Sequence, residues 1–518
     1  MKVDTAAVAA GSVLRCGICV VGSGAAGITI ARALVGKGLD VLLLEGGDLE
    51  GSKESQDLYE GEMVNRYRGK KDKRYLTTTR LRFFGGTTNH WNGWCRPLDP
   101  VDFRERAWVP GSGWPFDEAE LAPWYHQAAE WVDIPRFEAT AEDYAEAKRR
   151  PLPVGDGSRI ETKIFHYSKP TRFGTKYRQE LFDAADVRVM TGANVLGFRT
   201  HEGKDRVHHA DVKTFAGVGF TVEATRFVIA CGGVENARLL LVSDADQPGG
   251  LGNQHDLVGR YFSDHPHGHR SGKLAFLDPA ATRKRMPLSM YGGSKADPLA
   301  GGKRTRGVFT TTPAVQEAEG LLQFSVQLKS FATQKVNELD EAVLESSFAL
   351  DAGRPDRTDG ELRSHVSEIF VRAEQAPNPA SRVTLDDDRD ALGMRKVRLN
   401  WVLNDLDRKT LDRSLRIFGE EMGISGLGRL RVTVDDQRPW RKTRGGAHHM
   451  GTTRMHVDPK RGVCDAWGQV HGVSNLFVAG SSLYPTVGFA NPTYTITALA
   501  LRLADRLQLL AARDGADR

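Results

Sequence analysis

The chain has 518 residues, of which 40% are hydrophobic and 26% charged, and its formal net charge at pH 7 is +5. That length is too great for one typical core, so we predict two or more domains. The composition is ordinary for a globular protein, and the modest charge gives no reason to expect nucleic-acid binding. No apolar run approaches the roughly 18 residues of a membrane helix, and no signal-peptide core precedes the first predicted strand. We therefore expect a cytoplasmic protein without a membrane span.

The five cysteines are scattered and odd in number, which favours reduced thiols over a disulfide framework. Cys16 and Cys19 form a C-x-x-C pair, but Cys19 falls inside a predicted strand. A zinc or redox role for this pair is therefore not expected.

The first structural unit is a strand, a turn, a helix and a second strand. The apolar run from Ile18 to Val21 predicts a strand buried on both faces, and a helical pattern follows from Ala26 to Val35. A second apolar strand covers Val41 to Leu44. This order is typical of an α/β protein with a Rossmann-like domain.

The turn of this unit carries Gly22, Gly24 and Gly27 in G-x-G-x-x-G spacing. Gly22 permits a tight turn, Gly24 lets a pyrophosphate approach the backbone, and Gly27 lets the helix pack closely on the strand. Glu45 ends the second strand, where its carboxylate can accept from both hydroxyls of an adenosine ribose. The pattern predicts a dinucleotide site, and both NAD and FAD remain open.

Two segments after Glu45 differ in character. The charged run from Arg68 to Arg74 is typical of a solvated loop or lid. The stretch from Arg80 to Pro100 is dense in glycine, aromatic and hydroxyl residues, which are costly to bury unless the polar groups find partners. We predict that this stretch lines a ligand, and that a helix begins at Asp117.

The middle of the chain reads as mainly β-structure. Alternating runs from Val187 to Ile229 predict antiparallel strands, followed by a tight turn and a helix. From Lys273 to Leu430, short β-like runs alternate with polar loops, and a helix is predicted near Asp405 to Met422. This second region is interpreted as an antiparallel domain inserted into the first.

His265, His267 and His269 alternate as on one face of a strand, a spacing that is compatible with a metal site. Pro266 and Gly268 argue against a rigid set of ligands, and only Asp264 lies nearby as an acid. We expect no metal here.

The C-terminal region contains GGAHHMGTTRM from Gly445 to Met455 and a strand pattern from Leu476 to Ala479. Asn491 followed by Pro492 is a strong helix-start signal, because asparagine caps helices and proline suits the first helical position. The positive end of that helix would face whatever fills the preceding loop.

Taken together, these motifs resemble those of the glucose-methanol-choline family of FAD-dependent oxidoreductases, most closely its sugar-oxidising members. The resemblance runs nearly end to end, through GSGAAG with Glu45, GGTTNHWNG, VGRYFSDHP, EQAPNPASRVTL, HHMGTTRM and NLFVAGSSLYPTVGFANPTYTITALA. It implies FAD on the Rossmann-like domain, an inserted α+β substrate domain with an antiparallel sheet, and oxidation of an alcohol to a carbonyl. The division implied is 1–100, 170–270 and 440–518 for FAD, with 101–169 and 271–439 for the substrate domain and lid segments.

The resemblance also implies a catalytic pair, His448 in an H-x-x-G motif and Asn491. A neutral imidazole can take the hydroxyl proton as hydride leaves, and Asn491 can hold the substrate oxygen. His449 is the alternative base, and Asn491 is alternatively only a helix cap. The backbone N–H groups in the first turn of the helix that begins at Pro492 and Thr493 would stabilise negative charge on the reduced flavin.

The cofactor contacts expected from the glycine turn, the histidine-containing loop, the middle strands and the C-terminal region are Gly22, Gly24, Gly27, Glu45, Gly86, Thr87, Asn89, His90, Asn92, Val195, Gly480, Pro492 and Thr493. His90 is expected beside the flavin ring. Non-covalent FAD is the main expectation, and a covalent bond to His90 is the alternative.

The resulting hypothesis is oxidation of a secondary hydroxyl of a sugar or glycoside. Other alcohols, such as an amino-sugar antibiotic intermediate or a sterol, and a non-catalytic flavin protein remain alternatives. Oxygen, a quinone or a redox protein would reoxidise the flavin, and the sequence leaves homo-oligomer formation open.

Overall fold

A computed structural model of the chain describes residues 1–64, 74–136, 157–276, 296–297, 303–328, 366–433 and 443–516. The charged run expected to form a loop or lid, Arg68 to Arg74, lies outside these residues except for Arg74. No helix in the ranges given is both long and apolar enough to cross a membrane.

The strands, numbered in chain order, are β1 (Lys2–Val3), β2 (Val13–Val21), β3 (Val41–Leu44), β4 (Gly61–Met63), β5 (Trp94–Cys95), β6 (Ile160–Tyr167), β7 (Val187–Met190), β8 (Asn194–Thr200), β9 (Val207–Lys213), β10 (Gly219–Ile229), β11 (Pro266–Phe276), β12 (Ala296–Asp297), β13 (Lys303–Thr311), β14 (Phe324–Leu328), β15 (Val366–Ala373), β16 (Arg382–Arg389), β17 (Arg395–Asn400), β18 (Gly428–Val432), β19 (Thr443–Gly445) and β20 (Leu476–Val478).

The α-helices in the described residues are α1 (Ala25–Ala33), α2 (Lys53–Asp57), α3 (Tyr75–Thr78), α4 (Pro100–Phe103), α5 (Glu118–Trp131), α6 (Phe173–Lys176), α7 (Arg178–Asp183), α8 (Gly232–Val242), α9 (Pro313–Glu319), α10 (Asp405–Ile424) and α11 (Pro492–Ala516). Asp117 caps α5 by accepting from the backbone N–H of Glu120, as the sequence pattern predicts. Short 3₁₀ turns complete the set.

The first sheet is the Rossmann-like sheet, in the order β1-β7-β3-β2-β10-β9-β8, with β20 also paired to β10. Strand β2 lies parallel between β3 and β10, so its buried C-terminal half, which reads as one apolar run, is covered on both sides. The residues from β8 to β10 form the antiparallel meander that was predicted.

Strand β7 corrects that prediction in part. Its residues Val187 to Met190 were grouped with the antiparallel strands, but β7 pairs parallel with β3 and with β1. The local alternation of apolar residues is the same for either direction, so only the pairing partner distinguishes them.

The second sheet is the antiparallel sheet, in the order β18-β11-β15-β14-β13-β6-β5. Its strand pairings in the described residues are all antiparallel, and α10 packs across it through Leu411, Leu415 and Phe418. The mixed α/β architecture with a separate antiparallel sheet is therefore confirmed.

A third, small sheet of β16, β17 and β4 packs in the core of the Rossmann-like sheet. Val383, Val397 and Leu399 contribute its buried side chains. Helix α5 also packs in this core and against α11. Both α5 and the pair β16–β17 fall in the part of the chain that the sequence division assigned to the substrate domain.

Candidate active site

A cavity of about 390 Å³ runs from the glycine turn to the C-terminal motif. Segments far apart in sequence build it, namely the end of β2, the loop after α3, the start of α8, and the turn before α11. The predicted contact residues that line it are Gly22, Gly24, Glu45, Gly86, Thr87, His90, Asn92, Val195, Gly480, Pro492 and Thr493. His448 and Asn491 line the same space. The structure therefore brings most of the predicted cofactor contacts and the predicted catalytic pair to one cavity.

Two of the predicted contacts do not line the cavity. Asn89 donates its side-chain N–H to the carbonyl of Phe84, so its amide holds the loop rather than facing the cavity. Gly27 lies behind the turn, where an added Cβ would stand 1.8 Å from the carbonyl oxygen of Gly22. That contact is the close helix–strand packing for which a glycine was expected at this place.

The glycine turn has room for a ligand only on one side. Gly22 has φ +100°, and a Cβ there would stand 2.7 Å from the carbonyl oxygen of Ala230. A Cβ on Gly24 would meet nothing within 4 Å, although Gly24 lines the cavity. The open space beside Gly24, at the N-terminus of α1, fits the pyrophosphate of a dinucleotide.

Glu45 is buried and already engaged. One carboxylate oxygen accepts from the backbone N–H of Ser23 (3.1 Å) and from its hydroxyl (2.6 Å), and the other accepts from the N–H of Gly47 (2.8 Å). A carboxylate offers about four acceptor sites. Glu45 thus holds the glycine turn in place and keeps capacity for about one further donor, fewer than the two ribose hydroxyls that we expected.

The loop from Gly86 to Gly93 is held from outside by Arg172. Its guanidinium donates to the carbonyl oxygens of Thr88 (2.8 Å) and Trp91 (2.9 Å). His90 projects from this loop to the cavity, and partial burial together with the charge of Arg172 lowers its pKa. The sequence placed His90 here but did not identify Arg172.

His448 and Asn491 lie within hydrogen-bond distance at the far end of the cavity. The Nδ2 atom of Asn491 is 3.1 Å from Nε2 of His448. The Oδ1 atom of Asn491 is buried and has no hydrogen-bond partner in the described structure. The Asn491 side chain therefore does not cap α11, which was the alternative to a substrate-binding role.

The other ring nitrogen of His448 bonds to a second histidine. Nδ1 of His448 lies 2.8 Å from Nδ1 of His265, and Nε2 of His265 lies 3.4 Å from the carbonyl oxygen of Val487. The carbonyl only accepts, so Nε2 of His265 carries a proton and its Nδ1 is an acceptor. His448 then carries its proton on Nδ1 and leaves Nε2 as an acceptor facing Asn491.

Asp264 fixes the backbone beside His448. Its carboxylate accepts from the backbone N–H groups of Gly446 (2.9 Å), Ala447 (3.2 Å) and His448 (2.9 Å), and from the hydroxyl of Tyr75 (2.6 Å). Ala447 has φ +60°, a conformation rare for alanine, which these bonds help to hold. The sequence indicated Asp264 only as an acid near the histidines, because its partners lie about 180 residues away along the chain.

Burial keeps these histidines neutral. It lowers the pKa of His448 well below the ordinary value, and the nearby His265, His267 and Arg372 lower it further. Burial likewise lowers the pKa of His265 to about 3 and that of His449 to about 3. Burial raises the pKa of Asp264 to about 6, and its hydrogen-bond donors offset part of that rise.

His449, the alternative base, is in different surroundings. Its ring packs against Tyr75 and Phe262, and its Nε2 lies 3.2 Å from the hydroxyl of Thr79. Both His448 and His449 line the cavity, but only His448 has an acceptor nitrogen beside Asn491.

The histidines of β11 serve hydrogen bonding in the described structure. His267 accepts from Nε of Arg372 at 3.2 Å, and its ring lies 5.8 Å from that of His448. The side chain of His269 is outside the described structure. Within the described residues, no three His, Cys, Asp or Glu side chains lie close enough to bind a metal ion.

Two regions of the chain match known protein families. Residues 17–255 match the family described as FAD dependent oxidoreductase, and residues 377–500 match the family described as GMC oxidoreductase. The first region contains the glycine turn, and the second contains His448 and Asn491.

Two curated relatives match nearly the whole chain, and a third matches about a quarter of it. It is 24% identical to 2-methyl-1,2-propanediol dehydrogenase of Mycolicibacterium austroafricanum, over 94% of each chain. It is 26% identical to paromamine 6'-oxidase of Streptomyces fradiae, over 94% of this chain and 90% of that protein. Over 23% of this chain and 22% of that protein, it is 37% identical to C-glycoside 3-oxidase of Microbacterium trichothecenolyticum.

The fold is shared with solved structures. Pyridoxine 4-oxidase from Mesorbium loti superposes with a TM-score of 0.56 at 18% identity, covering 95% of this chain and 99% of that one. This likeness establishes the shared architecture of the Rossmann-like domain and the antiparallel sheet.

Proposed function

We propose that the chain, whose residues 17–255 and 377–500 match the FAD dependent oxidoreductase and GMC oxidoreductase families, uses FAD to oxidise a secondary hydroxyl of a sugar or glycoside to a ketone. In this proposal His448 is the general base. The observation that carries it is the pair of contacts on the His448 ring, Nδ1 at 2.8 Å from His265 and Nε2 at 3.1 Å from Asn491, in the cavity that also contains the glycine turn.

Different residues bind the cofactor and handle the substrate proton. The glycine turn and Glu45 bind the AMP and pyrophosphate part of the cofactor, and the loop carrying His90 lies beside its ring system, without a covalent bond. Bound FAD supplies the acceptor for the hydride that leaves the carbinol carbon. Nε2 of His448 accepts the hydroxyl proton, and the amide of Asn491 donates to the substrate oxygen.

The first turn of α11 contributes electrostatically. The backbone N–H groups at the start of this 25-residue helix are not used within the helix, and Pro492 and Thr493 line the cavity. These donors and the helix dipole stabilise negative charge that develops on the reduced cofactor.

A sugar or glycoside is favoured as substrate by the relatives. Paromamine 6'-oxidase matches along nearly the whole chain, and C-glycoside 3-oxidase matches over a shorter stretch at higher identity. The propanediol dehydrogenase supports a second candidate, the same chemistry on a small non-sugar alcohol. A panel of sugars, glycosides, amino sugars and simple diols, assayed by anaerobic flavin bleaching, separates these candidates.

The assignment of the base is tested by replacing His448 with Ala. We expect FAD to remain bound, while flavin reduction by a substrate slows about 10²- to 10⁴-fold, which is the usual contribution of a general base. The measurement is stopped-flow flavin absorbance without oxygen. His126, exposed on α5, gives the matched control His126→Ala, which should reduce normally.

Near-normal reduction in His448→Ala would contradict the assignment. Loss of reduction in His449→Gln together with normal reduction in His448→Ala would move the role of base to His449. A wild-type protein that binds FAD and is reduced by no alcohol would instead support a non-catalytic flavin protein.

A further inference from the structure

Three arginines and three aromatic rings form a group on the antiparallel sheet, beside the cavity. We define the arginine cluster as Arg304, Arg306 and Arg372. The Cζ atom of Arg372 lies 4.9 Å from the ring centre of Trp94, and that of Arg306 lies 5.1 Å from it. The Cζ atom of Arg306 lies 5.8 Å from the ring centre of Tyr167, and that of Arg304 lies 5.4 Å from it.

Arg372 is the buried member of the cluster. It is 6% exposed, and its only side-chain hydrogen bond in the described structure runs from Nε to Nε2 of His267. Its two terminal guanidinium nitrogens donate to no described residue, and no described carboxylate pairs with it. Burial, followed by the charge of Arg306, lowers the pKa of Arg372 to about 10.

A buried arginine without a carboxylate is unusual, because a charge removed from water needs a partner to offset the lost hydration. Here the rings of Trp94 and Phe165 supply cation–π contacts, which compensate only part of that loss. The planar fork of terminal N–H groups matches the geometry of a carboxylate or a phosphate. The site therefore has the positive charge and the free donors of an anion-binding site.

The arginine cluster is connected to the catalytic end of the cavity in two ways. Trp94 lines the cavity and also contacts both Arg306 and Arg372. His267 accepts from Arg372, and its ring lies 5.8 Å from the ring of His448. Arg372 does not itself line the cavity, so a substituent of a substrate whose hydroxyl sits at His448 would reach it past Trp94.

We propose that the arginine cluster binds an anionic substituent, a carboxylate or a phosphate, on the alcohol that His448 deprotonates. The inference rests on the proposed function, since it places part of that substrate. In this arrangement Arg372 makes the bidentate contact, and Arg306 and Arg304 add positive charge across Tyr167. The same charges repel an ammonium group, so cationic amino sugars are disfavoured.

An alternative role for Arg372 is purely electrostatic, since its charge helps to keep His448 neutral. That role predicts equal effects of an Arg372 substitution on charged and uncharged substrates. An anion-binding role predicts an effect on the anionic substrate above all.

The test uses three substrates with the same ring and different charge: methyl β-D-glucopyranoside, methyl β-D-glucopyranosiduronate and methyl β-D-glucosaminide. For each substrate, the rate of anaerobic flavin reduction is measured against concentration, which gives the concentration at half the maximal rate. For the wild-type holoenzyme we expect half-saturation by the uronate at a concentration at least tenfold lower than by the neutral glycoside, and weakest binding of the amino sugar. Glucose 6-phosphate compared with glucose extends the test to a phosphate.

Two substitutions then assign the preference to Arg372. Arg372→Met should remove most of the preference for the uronate over the neutral glycoside, and Arg372→Lys should retain part of it because one charge remains. Arg429, exposed on β18 of the same sheet, supplies the control Arg429→Met, in which the preference should be unchanged.

Three outcomes would overturn the anion-binding role of the arginine cluster. Equal half-saturation by the anionic and neutral substrates in the wild type overturns the inference while leaving the proposed function intact, and needs no variant to fold. A preference that persists in Arg372→Met also overturns it. Flavin reduction by none of the sugars would overturn the proposed function and this inference together.

Discussion

At the scale of single residues, the bonds on the two ring nitrogens of His448 decide which of them can accept a proton. Nδ1 is bonded to His265, whose far nitrogen points at the carbonyl of Val487, so the proton of His448 is held on the side away from Asn491. Because a neutral imidazole has only one proton, Nε2 carries none and can accept the proton of a substrate hydroxyl. His265 is therefore a positioning residue in the proposed reaction.

Replacing His265 with Leu should lower the rate of flavin reduction about 10²-fold with little change in half-saturation, because the His448 proton is then free to move to Nε2. His265→Gln should restore much of the rate, since a Gln Oε1 can accept from Nδ1 of His448. Stopped-flow reduction of the two variants at saturating alcohol measures this. Equal losses of rate in His265→Leu and His265→Gln would mean that the His265 side chain only fills space.

The same assay against pH gives a second readout. The base works only when neutral, and burial lowers the pKa of His448 below its ordinary value of 6.5. Lowering the pH through 6.5 should therefore leave the wild-type rate intact, and the acidic limb should appear only at lower pH. A limb at or above pH 6.5 would contradict the buried, neutral His448.

At the scale of elements, the glycine turn shows what local sequence predicts well. Strand β3 has the predicted bounds, and β2, α1 and α11 were predicted within a few residues at their active-site ends, because buried strands, glycine spacing and the Asn-Pro start are local signals. The parallel pairing of β7 and the grouping of β16 and β17 with β4 were not predicted. The partner of a strand lies far away in sequence, and the alternation of side chains along the strand is the same whichever partner it pairs with.

Two alanine substitutions separate the roles of the glycines in the turn. Gly27→Ala places a methyl 1.8 Å from a backbone oxygen, so it should destabilise the fold or prevent expression of folded protein. Gly24→Ala meets no protein atom within 4 Å, so the fold should persist while FAD affinity falls at least about tenfold. Thermal unfolding without FAD and titration with FAD distinguish them. Unchanged FAD affinity in Gly24→Ala would contradict a pyrophosphate beside that residue.

At the scale of the whole molecule, the candidate site depends on contacts that local patterns do not contain. The glycine turn was predicted from its motif, and His448 and Asn491 were implied by the family resemblance, but the roles of Asp264 and His265 follow from bonds that span about 180 residues. Arg372 was not identified at all, because one arginine in a strand pattern does not reveal that it is buried with no carboxylate partner among the described residues. Motifs thus predict which segments meet, and the fold determines which side chains support them.

A buried ion pair joins the segment after α4 to the end of β15 in the antiparallel sheet. Arg106, from the segment that follows α4, donates to both carboxylate oxygens of Glu374 at the end of β15, at 2.9 and 2.5 Å. Their side chains are 1% and 0% exposed. Glu374 also accepts from the backbone N–H of Gln323 at 2.9 Å. Because each charge depends on the other, removing one partner should cost more than removing both.

Arg106→Met should destabilise the protein by about 3 to 5 kcal/mol, since it leaves the Glu374 carboxylate buried without its counter-ion. The double variant Arg106→Met with Glu374→Gln should recover much of that loss, because a neutral amide still accepts from Gln323. The exposed pair of Arg461 and Glu105 provides the control Arg461→Met, with an expected change under about 1 kcal/mol. Urea unfolding of the FAD-bound proteins measures all three.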